Sequence, residues 1–257
     1  MDDNGSTFLA RHQFLIYRLF SLAGLIPIGA YLVVHLITNS LVLNGPAAYQ
    51  DAVGQIHSLG VFLPFVEWTF IFIPILFHAA IGLIIIAGGM PNANAYPYGG
   101  NIRYTLQRAT GMIVFAFIIW HVIQMHHLGL LFGGGHFEPE AATSSTAATL
   151  SPAWIRGLYA IGIVSAVYHL SNGLWTQGIT WGIWTTQAAM QRAGRFCLAF
   201  GLVIGCIGLA ALYGFMTVDI TKAETVEKNI QTLHEIHTGE VSPAALSSNA
   251  AGVSPKR

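Results

Sequence analysis

Five long apolar runs constrain this chain more than any other feature of its sequence. A helix of about 20 apolar residues crosses roughly 30 Å of hydrocarbon, and each run is of about that length. The runs lie at approximately 14–38, 61–87, 105–124, 153–175 and 196–218. Overall, 54% of the residues are hydrophobic and 9% are charged, far from the composition of soluble proteins. The sequence therefore predicts an all-α integral membrane protein with five transmembrane helices, because backbone amides in lipid must bond to one another.

Basic residues beside the runs predict the orientation, because short loops that carry Lys and Arg stay on the cytoplasmic side. Arginines accompany the beginnings of the first, third and fifth runs, whereas residues 39–60 contain no Lys or Arg. These arginines are Arg11, Arg18, Arg103, Arg108, Arg192 and Arg195. We therefore predict a cytoplasmic N-terminus and, after five crossings, a C-terminus outside.

The polar segments predict one membrane domain followed by a tail. Residues 1–218 are predicted to form the five-helix domain, and the polar residues 219–257 a flexible C-terminal tail. The loop at 138–152 is rich in Ala, Ser and Thr and is also predicted to be weakly ordered. The first ten residues contain two acids and no basic residue, so we expect no cleaved signal peptide.

Four histidines, one in each of the first four runs, are the candidate functional residues: His35, His78, His121 and His169. An imidazole without a partner costs several kcal/mol in hydrocarbon, so four on four segments indicate a shared ligand. At about 1.5 Å per residue, His35 and His121 lie roughly 30 and 24 Å from the cytoplasmic ends of their helices. His78 and His169 lie roughly 24 to 26 Å from the outer ends. The depths therefore predict one histidine pair in each leaflet.

Two stacked histidine pairs suit two bis-imidazole haems held between the helices of a bundle. Such centres transfer electrons and leave no position for oxygen, and the absence of a Cys-x-x-Cys-His motif excludes covalent c-type haem. A helix-to-helix hydrogen bond is the alternative for any single histidine, but the pairing by depth favours haem ligation for all four. His57 is ambiguous. The remaining histidines are predicted to be solvated: His12, His126, His127, His136, His234 and His237.

Four segments of the sequence resemble the dihaem cytochrome b membrane anchors of succinate:menaquinone oxidoreductase, the succinate dehydrogenase cytochrome b558 family. They are YRLFSLAGLIPIGAYLVVHLITNS, EWTFIFIPILFHAAIGL, LQRATGMIVFAFIIWHV and VYHLSNGLWTQGITWGI. The resemblance extends from Tyr17 to Phe215, and motif order and all four histidines agree. It implies a multi-pass subunit of respiratory complex II in the bacterial cytoplasmic membrane. It also implies that His78 and His169 hold a proximal haem b, and His35 and His121 a distal one.

The resemblance implies partners that perform the chemistry at succinate. This chain has neither a Gly-rich βαβ unit for a flavin nor a Cys cluster for iron–sulphur centres, so it cannot oxidise succinate alone. It would carry electrons between a cytoplasmic flavoprotein and iron–sulphur subunit pair and menaquinone. The cytoplasmic arginines are a candidate docking surface, although topology alone explains each of them equally well.

Polar residues near the histidines are candidates for the haem environment, where propionates need cationic or hydrogen-bonding partners. On the cytoplasmic side these are Arg18, Gln107, Arg108, Asn172 and Trp175, of which Arg108 is the strongest propionate candidate. Asn39 and Ser40, one turn past His35, are candidates for the distal haem, with helix capping as the alternative.

Glu67 is the only acid within an apolar run, and an intramembrane carboxylate indicates a functional site. It lies about 16 Å from the level of His78 toward the outer side, near the level of the distal haem. We expect it to transfer protons at a menaquinone pocket on this chain. An interfacial Glu that reaches water is the alternative.

The direction of the reaction is less constrained. Some fumarate reductases of this type carry a glutamate two residues before the fourth axial histidine, as part of a transmembrane proton path, and here that position is Val167. This favours succinate oxidation, with quinol:fumarate reduction as the alternative. A haem-free proton or ion transporter is a further alternative, and a di-metal oxygenase is disfavoured because no His-x-x-x-His repeat occurs.

Overall fold

The computed structural model describes residues 8–89, 91–92, 94–125 and 136–238, with side chains from residue 11 onward. Regular structure in these ranges is helical, with no strand. The α-helices are α1 (Phe8–Leu25), α2 (Pro27–Ser40), α3 (Pro46–His57), α4 (Leu63–Glu67), α5 (Ile73–Ala87), α6 (Gly99–Met125), α7 (Ala142–Thr149), α8 (Ala153–Thr180), α9 (Gln187–Thr217) and α10 (Ile220–Thr238). Short 3-10 turns and one π-helical turn, Trp68–Phe72, connect some of them.

The prediction of five spans is confirmed. The helices that are long and apolar enough to cross a membrane in the described ranges are Arg11–Asn44, Gly60–Ala87, Gly99–Met125, Ala153–Thr180 and Gln187–Thr217. Four of them extend several residues beyond the predicted runs, because a helix continues into the interface after the apolar pattern has ended. Large apolar side chains such as Phe14, Val61 and Phe196 are exposed on the outside of the bundle, as a lipid-facing surface requires.

Prolines divide the first two spans into shorter helices. Pro27 begins α2 directly after α1, and Pro74 lies in the first turn of α5, after the π-helical turn. Proline has no amide hydrogen, and its ring clashes with the carbonyl group of the residue four positions earlier in a helix. It is therefore tolerated in the first turn of a helix and interrupts a helix elsewhere. The bundle is built around α8, which packs against α6, α9 and α1, while α2 packs on α9 and α1 on α5.

The two segments predicted to be flexible differ from that expectation. The loop forms α7, whose residues are largely buried, and residues 220–238 of the tail form α10, which packs on α7 and α3. We call α3, α7 and α10 the cap, and the end of the bundle that they cover the cap end. The opposite end, which carries Arg11, Arg18, Arg103, Arg108, Arg192 and Arg195, is the arginine end. Residues 239–257 of the predicted tail lie outside the described residues.

The cap is held by side chains that bind the first amides of α7. Gln50 Oε1 accepts a hydrogen bond from Ala142 N at 2.9 Å, and its Nε2 donates to Pro139 O at 2.6 Å. Glu227 is 2% exposed, and its carboxylate accepts from Thr143 N at 2.6 Å and Ser144 N at 3.1 Å. The first backbone N–H groups of any helix have no acceptor within that helix. Side chains distant in sequence therefore provide the order that the segment's own composition does not.

Candidate functional site

The four intramembrane histidines meet as two pairs. His35 of α2 faces His121 of α6 near the cap end, with ring centroids 6.1 Å apart and an interplanar angle of 76°. His78 of α5 faces His169 of α8 toward the arginine end, with centroids 6.2 Å apart and an angle of 89°. We call these the cap-side pair and the arginine-side pair. They are the pairs that the depths in the sequence predict.

Hydrogen bonds at the rear of two of the rings leave Nε2 as the nitrogen that could bind a metal. Nδ1 of His78 lies 3.0 Å from Phe20 O, and Nδ1 of His169 lies 3.1 Å from Gln107 O. A carbonyl oxygen only accepts, so each Nδ1 carries the proton and each Nε2 keeps its lone pair, which in His169 lies 3.4 Å from Gln107 Nε2. Metal-binding imidazoles commonly donate their second nitrogen to a carbonyl in this manner.

The distance between paired rings fits an ion bound between them. A metal–imidazole bond is about 2 Å long, so two rings on opposite sides of one ion have centroids about 6 Å apart. In the described part of the chain, neither pair belongs to a group of three or more His, Cys, Asp or Glu side chains that could hold a bare ion. The porphyrin of a haem would supply four further donors to an ion at either pair.

Two glycines allow the arginine-side rings to lie against helix backbone. A Cβ atom added at Gly24 of α1 would stand 2.4 Å from Cε1 of His78, and one at Gly111 of α6 would stand 2.9 Å from Cε1 of His169. Real Cβ atoms do not approach other atoms below 3.0 Å. The Phe20 ring also stacks on His78, with centroids 4.3 Å apart. Each ring therefore has space only while its neighbouring helix position lacks a side chain.

Gln107 and Asn172, both predicted near the haems, join the arginine-side pair. Gln107 Nε2 donates to His169 O at 3.1 Å, and its Oε1 accepts from Asn172 Nδ2 at 2.8 Å. Trp175, also predicted there, instead donates from Nε1 to Met190 O at 2.9 Å. The Arg103 guanidinium lies over its ring, 4.3 Å from the centroid. Trp175 therefore fastens α8 to the beginning of α9.

The two predicted cationic partners bind protein carbonyls. Arg108 donates to Gly89 O at 2.7 Å, to Ile85 O at 3.3 Å, and to Ile86 O and the Tyr104 hydroxyl. These carbonyls end α5 and lack partners within the helix, so Arg108 caps α5.

Arg18 donates to Thr180 O at 2.5 Å, and its guanidinium lies 5.0 Å from the centroid of Trp181. The predicted propionate role of either arginine would compete with these bonds.

On the cap side, Ser40 and Asn39 bind their own helix. Ser40 Oγ donates to Ile37 O, and Asn39 Nδ2 to His35 O, both at 2.7 Å, which is the geometry of the capping alternative. Asn39 Oδ1 also accepts from the Tyr49 hydroxyl at 3.3 Å. Burial raises the pKa of Tyr49 to about 12, so this phenol remains a donor at physiological pH.

Glu67 lies near the cap-side pair, half-buried at the end of α4. Its carboxylate is close enough to Tyr31 to interact with the phenol electrostatically, and the Tyr31 ring lies 5.4 Å from the ring of His35. The π-helical turn Trp68–Phe72 begins directly after Glu67, and such turns occur frequently at functional sites. The role expected for Glu67 at a quinone pocket stays a prediction.

Three polar residues near the cap-side pair were not among those expected from the sequence: Tyr31, Gln124 and Tyr159. The helix spacing of each one indicates that it lies near this pair. Tyr31 lies four residues before His35 and Gln124 three after His121, on the same helix faces. Tyr159 lies ten residues before His169, about 15 Å along α8 and so at the level of the other pair.

The other histidines that the structure describes lie apart from the two pairs. Nδ1 of His57 lies 3.0 Å from Val53 O in the last turn of α3, and His136 is 3.9 Å from Glu138. His12, His234 and His237 are exposed. His126 and His127 lie outside the described residues.

Comparison with known proteins gives one informative similarity. No family model matches the chain. Over 207 residues it is 33% identical to the succinate dehydrogenase cytochrome b558 subunit of Bacillus subtilis (strain 168). The alignment covers 79% of this chain and 98% of the relative.

Proposed function

Because this chain belongs to the family of succinate dehydrogenase cytochrome b558 subunits, we propose that it anchors a bacterial complex II in the membrane and transfers its electrons. We assign two haems b to it, a proximal haem on His78 and His169 and a distal haem on His35 and His121. One observation carries the assignment: two histidine pairs at two levels, with ring centroids 6.1 and 6.2 Å apart. Two bound haems supply one-electron redox centres in series across the bilayer.

The protein's contribution is to orient the ligands and exclude water. Carbonyl acceptors on α1 and α6 hold the proton of His78 and His169 on Nδ1, and the Gln107–Asn172 pair fixes the carbonyl end of the second ligand. Two histidines on each haem would leave it no free position for oxygen. Gln107, which binds His169 O, and Asn172, which binds Gln107, are our candidates for the propionates of the proximal haem.

We assign the arginine end to the cytoplasm, which puts the cap outside. Short cytoplasmic segments retain Lys and Arg, and six arginines cluster at this end. Arg192 and Arg195 are then our candidates to dock the flavoprotein and iron–sulphur subunits, whereas Arg18 and Arg108 bind the chain's own carbonyls. The proximal haem would be the first to receive electrons from that side.

We place the menaquinone site near Glu67, beside the distal pair. The half-buried carboxylate, the adjacent Tyr31 phenol and the π-helical turn support this position. Replacing Glu67 by Gln keeps the shape of the side chain and removes its capacity to accept and release protons. We expect quinone-dependent turnover to fall at least tenfold while both haems remain, and unchanged turnover would refute the proton role.

We propose succinate oxidation as the direction. Val167 is buried in an apolar cluster with Leu36 and Ile204, so the position offers no carboxylate for a proton path between the two haem levels. The comparison of succinate-driven and fumarate-driven rates in the purified complex tests this assignment.

The haem assignment is tested by replacing each ligand with alanine in the full complex. The unsubstituted chain should contain two haems b, and H35A and H121A should lose the same haem, while H78A and H169A lose the other. His234→Ala, on the exposed side of α10, is the control and should keep both. A colourless purified protein would favour the transporter alternative, and two variants of one pair that lost different haems would refute the pairing.

A further inference from the structure

A hydrogen-bonded pair of side chains, Tyr159 and Gln124, lies behind His121. The Tyr159 hydroxyl is 3.0 Å from Nδ1 of His121 and 3.1 Å from Oε1 of Gln124. Both side chains are buried, at 8% and 3% exposure. His121 thus differs from His78 and His169, whose Nδ1 atoms meet backbone carbonyls.

The chemistry of the three groups fixes the direction of each hydrogen bond. The amide oxygen of Gln124 only accepts, so the single hydroxyl hydrogen of Tyr159 points to it. The hydroxyl oxygen then accepts from Nδ1–H of His121, which leaves the lone pair of that ring on Nε2. Gln124 therefore selects the metal-binding tautomer of His121 through Tyr159.

Gln124 presents its amide oxygen to Tyr159, and its Nε2 has no hydrogen-bond partner in the described part of the chain. An amide turned the other way would donate to the phenol oxygen and direct the hydroxyl hydrogen toward Nδ1 of His121. The orientation of this amide therefore decides which nitrogen of His121 carries the proton.

We propose that Tyr159 and Gln124 are positioning residues that set the reduction potential of the distal haem independently of the proximal one. This inference rests on the proposed function, because it requires a haem on His121. An acceptor at Nδ1–H increases the electron donation from Nε2, and greater donation stabilises the oxidised iron. Hydrogen bonds in series polarise one another, so the bond to Gln124 makes the phenol oxygen a better acceptor.

The test is Y159F in the full complex, followed by a redox titration of both haems in the visible spectrum. Phenylalanine keeps the ring contacts with Phe117 and Trp120, whose centroids lie 5.4 and 5.5 Å away, and removes only the hydroxyl. We expect the distal haem to become easier to reduce by a factor of three to ten, about 28 to 59 mV for a one-electron couple. The proximal potential should stay unchanged. The ligand variants described above identify which wave belongs to the distal haem.

Two further variants make the test decisive. Q124L keeps the phenol and should shift the same wave in the same direction by a smaller amount, and it replaces Y159F if that variant does not retain its distal haem. Tyr213→Phe, at an exposed position of α9, is the control and should shift neither wave. Unchanged potentials in Y159F and Q124L, or equal shifts of both haems, overturn the inference. Absence of haem from the unsubstituted chain instead overturns the proposed function itself.

Discussion

Replacing Glu227 by alanine should open the cap. The carboxylate accepts hydrogen bonds from Thr143 N and Ser144 N, and from Ser144 Oγ at 2.5 Å, in a region closed to solvent. The hydroxyl can turn to Ala141 O, which already lies 3.3 Å away, but the two amides have no second acceptor in their helix. Each buried unsatisfied donor costs about 1 to 3 kcal/mol, so E227A should destabilise the docked cap by about 2 to 6 kcal/mol.

Glutamine at this position should have a smaller effect. Its amide oxygen can still accept from both amides, and only the charge assistance is lost, so we expect E227Q to cost about 1 kcal/mol. The matched control is Glu224→Ala, one turn earlier on the exposed face of α10. The order of cap stability should therefore be wild type and E224A, then E227Q, then E227A.

Limited trypsin digestion measures the opening of the cap. Cleavage after Lys222 and Lys228 of α10 requires the helix to detach and unfold. If opening is fast, the cleavage rate follows the population of the open state, so E227A should be cut at least about tenfold faster than wild type. A helix α10 that resists trypsin equally in E227A and wild type would refute the capping account of this segment.

Two further substitutions follow from close contacts at the other end of the bundle. Gly24→Ala would place a methyl group 2.4 Å from Cε1 of His78, so we expect loss of one of two haems in the visible spectrum, whereas Gly157→Ala, which has open space, should keep both. Arg108→Gln removes charge-assisted bonds to the carbonyls that end α5 and should lower stability by about 1.5 to 3 kcal/mol, measured by thermal unfolding in detergent. An unchanged unfolding temperature would contradict the capping role.

Hydropathy and helix rise predicted the spans and the histidine pairs because both depend on distance along the membrane normal. The depth of a residue in the membrane follows from its position within its apolar run. The histidines that share a depth with His35 or His169 can therefore be identified without knowledge of helix packing. The rotation of each helix does not follow in this way. Tyr159 therefore could be assigned to a level but not to a partner, since its contact with His121 depends on how α8 and α6 are rotated.

The cap was missed for a different physical reason. Helix α7 has Ala141 at its N-cap position, with no capping side chain, and its Ala, Ser and Thr residues bury little apolar surface of their own. Its amide partners Gln50 and Glu227 lie 92 and 84 residues away from the residues they bind. Arg108 is a similar case. Its side of the membrane could be predicted from the sequence, but its hydrogen bonds to carbonyls at the end of α5, in place of a propionate, could not.

The origin of the α7 acceptors also determines the order in which the protein can mature. Gln50 leaves the ribosome well before α7, but Glu227 follows Thr143 by 84 residues. Until α10 has been synthesised and has docked, the amides of Thr143 and Ser144 can be satisfied only by water. Closure of this end of the bundle is therefore one of the last events of biogenesis. A chain interrupted before α10 would retain its membrane helices but leave the first amides of α7 exposed to water.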